Sequence, residues 1–286
     1  MITSLEIDTR AIGNSLFIFA TLFGVGKKLN LDIRLSTGEN HIHQPTGQHI
    51  IQLKNIFDIT VPDITQEEIN GITNKYIEKC KEFNPEIFDE VKDNTNLIGF
   101  FQSEKYFDFC ADELRQQLKF KDKWIDIARR GFIGSGFLPK DCISIHIRRG
   151  DYTLPHLQPF HPVLPNTYYN DALSYIEKYI SDNKLETPKR VLVFSDDLDF
   201  CKATFGDSDV FYVVDNTEYK EYCAVIDLCM MSMCQYYIIA NSSFSFWGAW
   251  LGNPNQDKLT IAPNLWFGNG YGFGGKHIPS EKWVKL

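Results

Sequence analysis

Short, nearly uninterrupted apolar runs alternate with helical patterns through the second half of this 286-residue sequence, and this alternation constrains the fold more than any other feature. Strands that are apolar on both faces belong to parallel sheets covered by helices on each side. We therefore expect an α/β unit. Its predicted strands are 142–147, 191–195, 211–214, 237–240 and 258–262, and its predicted helices are 166–180, 197–205, 219–233 and 245–251.

The first half alternates in the same way but less regularly. Residues 65–68 form a capping-box pattern, which predicts a helix from there to about residue 81. The glycine-rich connection 131–136 is the expected boundary between one domain of residues 1–136 and another of residues 137–286. Further strands are expected at 2–7, 32–35 and 96–101, helices at 16–29, 111–119 and 122–131, and mainly loop at 36–60.

Charge and cysteine content argue against several classes of function. The formal net charge is -8, so we expect no nucleic-acid partner. The seven cysteines are odd in number and contain no C-x-x-C pair, so we expect reduced thiols rather than disulfides or a zinc site. No apolar run reaches the ~18 residues of a membrane span, and no secretory pattern is present. We therefore expect a cytoplasmic protein; association with the membrane periphery and the oligomeric state stay open.

The predicted strand 142–147 ends in a basic loop that contains Arg148, Arg149, Gly150 and Asp151. Ligands of open α/β sheets bind at the carboxyl ends of strands, and glycine permits close approach of the backbone. Paired guanidinium groups suit phosphate, and a fixed cation could stabilise the charge that grows on a departing diphosphate. Alternatively, both arginines are surface residues that pair with neighbouring acids.

A second polar group, Asn241, Ser242, Ser243 and Ser245, follows the predicted strand 237–240. It contains a glycosylation sequon, but hydroxyls and N–H groups at the start of a helix also suit a bound phosphate. Helix capping by one serine is the alternative. Because three hydroxyls occur within five residues, we favour phosphate contact by Ser243 or Ser245.

Two other patterns have a structural alternative. Asp207 and Asp209 form the D-x-D pattern of metal-dependent sugar transferases, but the surrounding Gly and Ser favour a turn, so we predict no metal site. Trp247, Trp250 and Trp266 could stack on a sugar, although burial in the core is the usual place for tryptophan.

Several motifs occur together in the order of one enzyme family. The segment His146-Ile-Arg-Arg-Gly-Asp-Tyr152, the segment Val193-Phe-Ser-Asp-Asp197 and residues 239–251 resemble the three signature motifs of the α-1,2-fucosyltransferase family, glycosyltransferase family 11. Residues 100–107 and 261–267 are similar to flanking segments, so the resemblance covers most of 97–267. At the N-terminus the family's glycine-rich loop is only partly kept, through Gly13 and Asn14.

The resemblance implies a GT-B fold of two facing Rossmann-like domains, with the acceptor on the N-terminal side and GDP-fucose on the C-terminal domain. It implies metal-free, inverting transfer of L-fucose to a galactosyl hydroxyl of a glycan in α-1,2 linkage, with no cofactor. Arg148 would contact the diphosphate, and Arg149 would hold the loop or make a second contact. His146 would lie near the nucleotide and Asp215 would face guanine, while Gly13 and Asn14 would approach the ligand.

Inverting transfer needs a base for the acceptor hydroxyl. Asp151, His156 and His161 are the candidates, and the sequence does not choose among them; Asp151 is also expected to pair with an arginine. Asp196 and Asp197 are expected to cap the following helix, with ribose contact as the alternative. Fucosyl transfer in another linkage (protein O- or α-1,6-) and a non-catalytic nucleotide-sugar-binding or glycan-binding protein are the competing functions.

Overall fold

The computed structural model describes residues 1–7, 10–36, 52–134, 136–206, 208–254, 258–272, 274–275 and 277–286. Its internal contacts divide the chain into two units, Met1–Lys121 and Asp122–Leu286. Each unit contains one parallel sheet with helices, so the predicted α/β class is confirmed.

The first unit has a three-stranded parallel sheet, and the last of its strands in the sequence is the central one. The strands are β1 (Ile2–Thr3), β2 (Asn74–Ile77) and β3 (Thr95–Ile98), in the spatial order β1-β3-β2. The helices are α1 (Ile12–Leu29), α2 (Leu53–Ile56), α3 (Gln66–Asn70), α4 (Ile87–Glu90) and α5 (Ala111–Gln117). α1 is buried along most of its length, and so it forms the core of this unit.

Two predictions for the first unit are wrong. The capping box at Thr65 is present, but the helix that it begins ends at Asn70 rather than near residue 81, and β2 follows. Gly71 occupies the C-cap, and only Tyr76 of β2 is buried, which is the pattern of an edge strand rather than of a helix face. The predicted strand 32–35 makes only isolated bridges. Most of the predicted loop 36–60, namely 37–51, lies outside the described residues.

The second unit has a six-stranded sheet in the order β6-β5-β4-β7-β8-β9. All of its strands are parallel, as predicted from the apolar runs. The strands are β4 (Cys142–Ile147), β5 (Arg190–Ser195), β6 (Phe211–Val213), β7 (Tyr236–Ile238), β8 (Thr260–Ala262) and β9 (Val284–Lys285). The helices are α6 (Asp122–Gly134), α7 (Asn166–Asn183), α8 (Leu198–Phe205), α9 (Cys223–Met233) and α10 (Ser243–Gly252). Five of the strands and all five helices were predicted within a few residues; β9 was not predicted.

The division between the units lies ahead of the predicted boundary at residue 136. The glycine-rich segment is mostly the end of α6, and α6 belongs to the second unit because it packs against α9. The roles assigned to the two domains stay predictions.

The core of the second unit accounts for its tryptophans and cysteines. Trp247 and Trp250 of α10 are fully buried with ring centroids 5.0 Å apart, and Trp266 is buried too, so these rings belong to the core. All seven cysteines are free thiols, as predicted.

No helix in the described part of the chain is both long and apolar enough to cross a membrane.

Candidate functional site

The order of strands identifies one edge of the second sheet as the place for a ligand. From β4 the chain adds β5 and β6 on one side, and it then adds β7, β8 and β9 on the other. Parallel α/β sheets bind ligands at the carboxyl ends of the two strands where the order reverses. These strands are β4 and β7, and they lead into the basic loop and the serine-rich segment.

Arg148 follows β4 and pairs with two carboxylates. Its Nη2 lies 2.6 Å from Asp151 Oδ1, and its Nη1 lies 2.9 Å from Asp196 Oδ2. The guanidinium also lies over the ring of Tyr152, 5.1 Å from the centroid. The predicted pairing of Asp151 with an arginine is thus present, and about a third of the Arg148 side chain remains exposed.

Arg149 holds the loop against α8. Its backbone N–H donates to Asp196 Oδ1 at 2.9 Å, and its Nε donates to Asp197 Oδ2 at 3.0 Å. The guanidinium also lies over the ring of Phe200, 3.7 Å from the centroid. Asp197 accepts the Phe200 N–H as the N-cap of α8, and the bond from Arg149 holds the pKa of its carboxyl below the usual value. The predicted capping role is confirmed for Asp197, whereas Asp196 binds the basic loop instead.

His146 connects the end of β4 to the start of α10. Burial, and to a lesser extent the charge of Arg148, lower its pKa to about 3, so the imidazole is neutral. Its ring contacts Phe244, with centroids 5.4 Å apart. Within the described residues its buried Nδ1 makes no hydrogen bond, and such an atom costs roughly 1–3 kcal/mol unless a ligand or water satisfies it.

The serines of the serine-rich segment differ in their surroundings. Ser245 is fully buried, and its Oγ donates to two backbone carbonyls of the preceding turn, each 3.1 Å away. This bonding commits the Ser245 hydroxyl to the fold. Ser243 is the first residue of α10, and its contact with a phosphate stays a prediction. Ser242 is the N-cap residue, but its side chain makes no capping hydrogen bond. The alternative of serine capping therefore does not apply to it.

Asn241 ties neighbouring loops together. Its Nδ2 donates to the carbonyl oxygens of Pro162 at 2.9 Å and Trp266 at 3.2 Å, and its backbone oxygen accepts the Tyr152 hydroxyl at 3.3 Å. Its Oδ1 is buried and has no hydrogen-bond partner among the residues described. Like the His146 Nδ1, this oxygen is a buried polar atom beside the reversal point of the sheet.

Asp215, predicted to face guanine, already accepts hydrogen bonds from two side chains. It accepts from Lys202 Nζ at 2.6 Å and from the hydroxyl of Thr217 at 2.6 Å, and the bond from Lys202 is the main reason that its pKa falls to about 2. Its neighbour Asn216 donates to Asp227 Oδ1 of α9 at 2.6 Å. Burial raises the pKa of Asp227 to about 7. Sequence reasoning missed Asp227, although it is the only charged residue in α9.

The three candidate bases lie in different surroundings. His161 stacks on Tyr152 with ring centroids 4.9 Å apart, and its Nε2 lies 3.2 Å from the hydroxyl of Tyr271. Asp151 is bound to Arg148. His156 is exposed, and within the described residues it has no hydrogen bond, ion pair or ring contact with the cluster around Arg148.

The remaining predicted site residues lie elsewhere. Gly13 and Asn14 belong to the first unit, in the first turn of α1, where Asn14 Oδ1 accepts from Gln102 at 2.8 Å. In the D-x-D pattern Asp207 lies outside the described residues, and Ser208 Oγ accepts two backbone N–H groups in a turn before β6. Among the residues described, no group of three or more His, Cys, Asp or Glu side chains could hold a metal ion.

Two arginines after one central strand and a helix start after the next give this parallel α/β unit the arrangement in which such sheets bind a phosphate-bearing ligand. A family model agrees: glycosyl transferase family 11 matches residues 41–284, and the chain belongs to this family. The predicted resemblance is therefore confirmed.

Relatives of known name support this assignment. The O-antigen biosynthesis glycosyltransferase WbnK of Escherichia coli is 35% identical over 200 residues, which are 69% of this chain and 62% of that protein. An alpha-1,2-colitosyltransferase of Escherichia coli is 31% identical over 214 residues, 73% of this chain and 68% of that one. Galactoside alpha-(1,2)-fucosyltransferase 1 of Ateles belzebuth is 25% identical over 205 residues, 68% of this chain and 53% of that one. The chain thus spans about half to two thirds of these relatives.

The fold has a counterpart among solved structures. The crystal structure of POFUT1 in complex with GDP is similar with a TM-score of 0.53 at 13% identity, covering 91% of this chain and 96% of that one. This likeness confirms the GT-B-like fold class.

Proposed function

We propose that this family 11 glycosyltransferase is inverting and moves L-fucose from GDP-fucose to a galactosyl hydroxyl of a glycan in α-1,2 linkage. One observation carries the proposal. The Arg148 loop follows β4 and the start of α10 follows β7, and these are the neighbouring strands at which the strand order reverses. The names of two relatives, an alpha-1,2-colitosyltransferase and a galactoside alpha-(1,2)-fucosyltransferase, support the linkage. We also propose the first unit, Met1–Lys121, as the acceptor side.

On the donor side, a guanidinium and a helix start would share the diphosphate. Arg148 stabilises the charge that grows on the departing GDP, and the N–H groups of the first turn of α10, with the Ser243 hydroxyl, bind a phosphate. The neutral His146 and the buried Asn241 Oδ1 have unused hydrogen-bonding atoms that the nucleotide would satisfy. Arg148→Ala is expected to abolish turnover, and near-full activity in this variant would contradict the assignment.

For the guanine base, Asp227 replaces Asp215 as the leading candidate. A carboxylate accepts from both the N1 and N2 hydrogens of guanine, a pair that adenine and uracil do not present together. Asp215 already bonds to Lys202 and Thr217, whereas Asp227 has one bond, from Asn216. We expect Asp227→Asn to bind GDP and inosine diphosphate with similar affinity, because the latter lacks the N2 amino group. A preference for GDP equal to that of the parent protein would exclude this role.

For the acceptor side of the reaction, we propose His161 as the base. Its contacts with Tyr152 and Tyr271 fix the ring beside the Arg148 cluster, whereas His156 has no such surroundings. A positioned histidine takes the proton of the acceptor hydroxyl as the anomeric carbon is attacked.

The decisive experiment is an assay of GDP release from GDP-fucose with a panel of small galactosides, with the product linkage determined by NMR. We propose that no metal takes part, so release should continue in EDTA; loss in EDTA and recovery with manganese would contradict this. GDP binding without transfer to any acceptor would favour the non-catalytic alternative, and another linkage in the product would favour the other fucosyltransferase classes.

A second donor has specific support. One of the relatives is named as a colitosyltransferase at 31% identity, higher than that of the fucosyltransferase compared above. Parallel assays with GDP-fucose and GDP-colitose would separate the two, because the preferred donor should have the higher kcat/KM with the same acceptor.

A further inference from the structure

The two arginines of the basic loop are surrounded by three carboxylates, one from the loop and two from the segment after β5. Arg148 and Arg149 pair with the carboxylates of Asp151, Asp196 and Asp197. A diphosphate brings further negative charge, and an anion binds poorly where carboxylates already neutralise the cations. Under the proposed function, a carboxylate must therefore leave Arg148 when the donor binds.

The two carboxylates on Arg148 are held very differently. Asp196 also accepts the Arg149 N–H at 2.9 Å, and its carboxylate lies so close to Gly150 that a Cβ there would be 2.3 Å from Oδ2. Its side chain is 27% exposed. Asp151 has a 50% exposed side chain on a short turn of the same loop as Arg148, and its described side-chain contact is with that one guanidinium.

We propose that these carboxylates have opposite roles: Asp151 is a placeholder that occupies the diphosphate position on Arg148 until the donor binds, and Asp196 is a positioning residue that keeps Arg148 aimed at that position. This inference rests on the proposed function, since it takes a nucleoside diphosphate as the ligand of Arg148. Asp151 is the one to leave because it gives up one half-exposed ion pair, whereas release of Asp196 would also leave the Arg149 N–H without its acceptor.

The two isosteric variants Asp151→Asn and Asp196→Asn test the proposal, each being the matched control of the other. Both remove one negative charge from the same guanidinium, so simple electrostatics predicts tighter GDP binding in both. The proposal predicts opposite signs in calorimetric titration with GDP. Asp151→Asn should lower the Kd about two- to fivefold, the value of one exposed ion pair. Asp196→Asn should raise it about five- to thirtyfold, as the aim of Arg148 is lost.

Gly150→Ala provides a second, independent measurement at the same carboxylate. The added methyl group must push Asp196 away, so this variant should weaken GDP binding as Asp196→Asn does. In an Asp196→Ala background the carboxylate is absent, and the same change should then have little further effect. If Asp196→Asn does not fold, as judged by circular dichroism, Gly150→Ala in the parent protein still tests the role of Asp196, because it displaces the carboxylate without removing it.

Each outcome bears on a different claim. If the parent protein does not bind GDP, the proposed function fails. If it binds GDP but both asparagine variants bind more tightly, Asp196 is a second competitor and the positioning role is wrong. If Asp151→Asn binds more weakly, Asp151 is part of the binding site and the placeholder role is wrong. Opposite signs, with the gain at Asp151 shrinking as salt increases, would support the proposal.

Discussion

Replacing Asp227 with asparagine should make the second unit more stable at neutral pH. Burial raises the pKa of this carboxyl from 3.8 to about 7, so between pH 4 and pH 7 the native state holds a proton that the unfolded chain releases. The free energy of unfolding therefore falls as the pH rises through this window and is constant above it. Asparagine has nearly the same shape, is neutral at every pH and can still accept from Asn216 through Oδ1.

The size of the effect follows from the pKa difference. A tenfold change in a protonation equilibrium corresponds to about 1.4 kcal/mol, so the rise of the Asp227 pKa from 3.8 to about 7 sets an upper limit of roughly 4 kcal/mol at pH 8. Because the Asp227 side chain is only partly buried, we expect a gain of about 1–3 kcal/mol. The gain should disappear toward pH 4, where aspartate is also protonated.

Urea unfolding followed by tryptophan fluorescence reports on the unfolding of the second unit, which contains Asp227. All five tryptophans lie in the second unit, at positions 124, 247, 250, 266 and 283. Asp215→Asn is the control of opposite sign: the pKa of Asp215 is lowered to about 2, chiefly by Lys202, so its contribution is present above about pH 4 and its loss should destabilise the protein at pH 8. Parallel stability curves for the parent and Asp227→Asn from pH 5 to pH 8 would refute the reasoning.

Three further predictions concern packing and catalysis. Gly252→Ala should cost about 2 kcal/mol or more in urea unfolding, because the added Cβ would lie 2.1 Å from a backbone oxygen of α9. Tyr168→Phe should cost about 1–2 kcal/mol in the same assay, because the buried hydroxyl donates to the Ile239 carbonyl at 2.7 Å. His161→Ala should lower kcat for GDP release about a hundredfold or more, whereas His156→Ala should change it less than about twofold. Equal losses in the two histidine variants would remove His161 as the base.

The second unit could be predicted from its sequence because its local and tertiary signals agree. Each residue of β4 is buried and four of its six side chains are apolar, so the strand stands out in the sequence. The helices between the strands are long enough to show their period. β9 has two residues and pairs only at the edge of the sheet, and so its short sequence contains no comparable signal.

The first unit could be predicted less well because its elements are short. β2 comprises Asn74, Lys75, Tyr76 and Ile77, of which only Tyr76 is buried, so no periodic pattern marks it as a strand. What makes these residues a strand is their parallel pairing with β3, a contact between segments about twenty residues apart that local propensity does not encode.

The location of the candidate site could be deduced from the sequence, but the different roles of its aspartates could not. Parallel strands bring their carboxyl ends to one edge of the sheet. Arg148 and Ser243 each follow a predicted strand, so both are expected at that edge. Which aspartate is bound, displaceable or protonated depends on burial and on partners far along the chain, as the pairing of Arg148 with Asp196 illustrates. Asp215 has the expected position in sequence, yet a lysine and a threonine occupy it, whereas Asp227 lies in an apolar helix and keeps a carboxyl that titrates near neutrality. A lone acid in an apolar helix is therefore the signal that would have identified Asp227. Burying a carboxylate is costly, so an acid in such a place is a candidate functional residue.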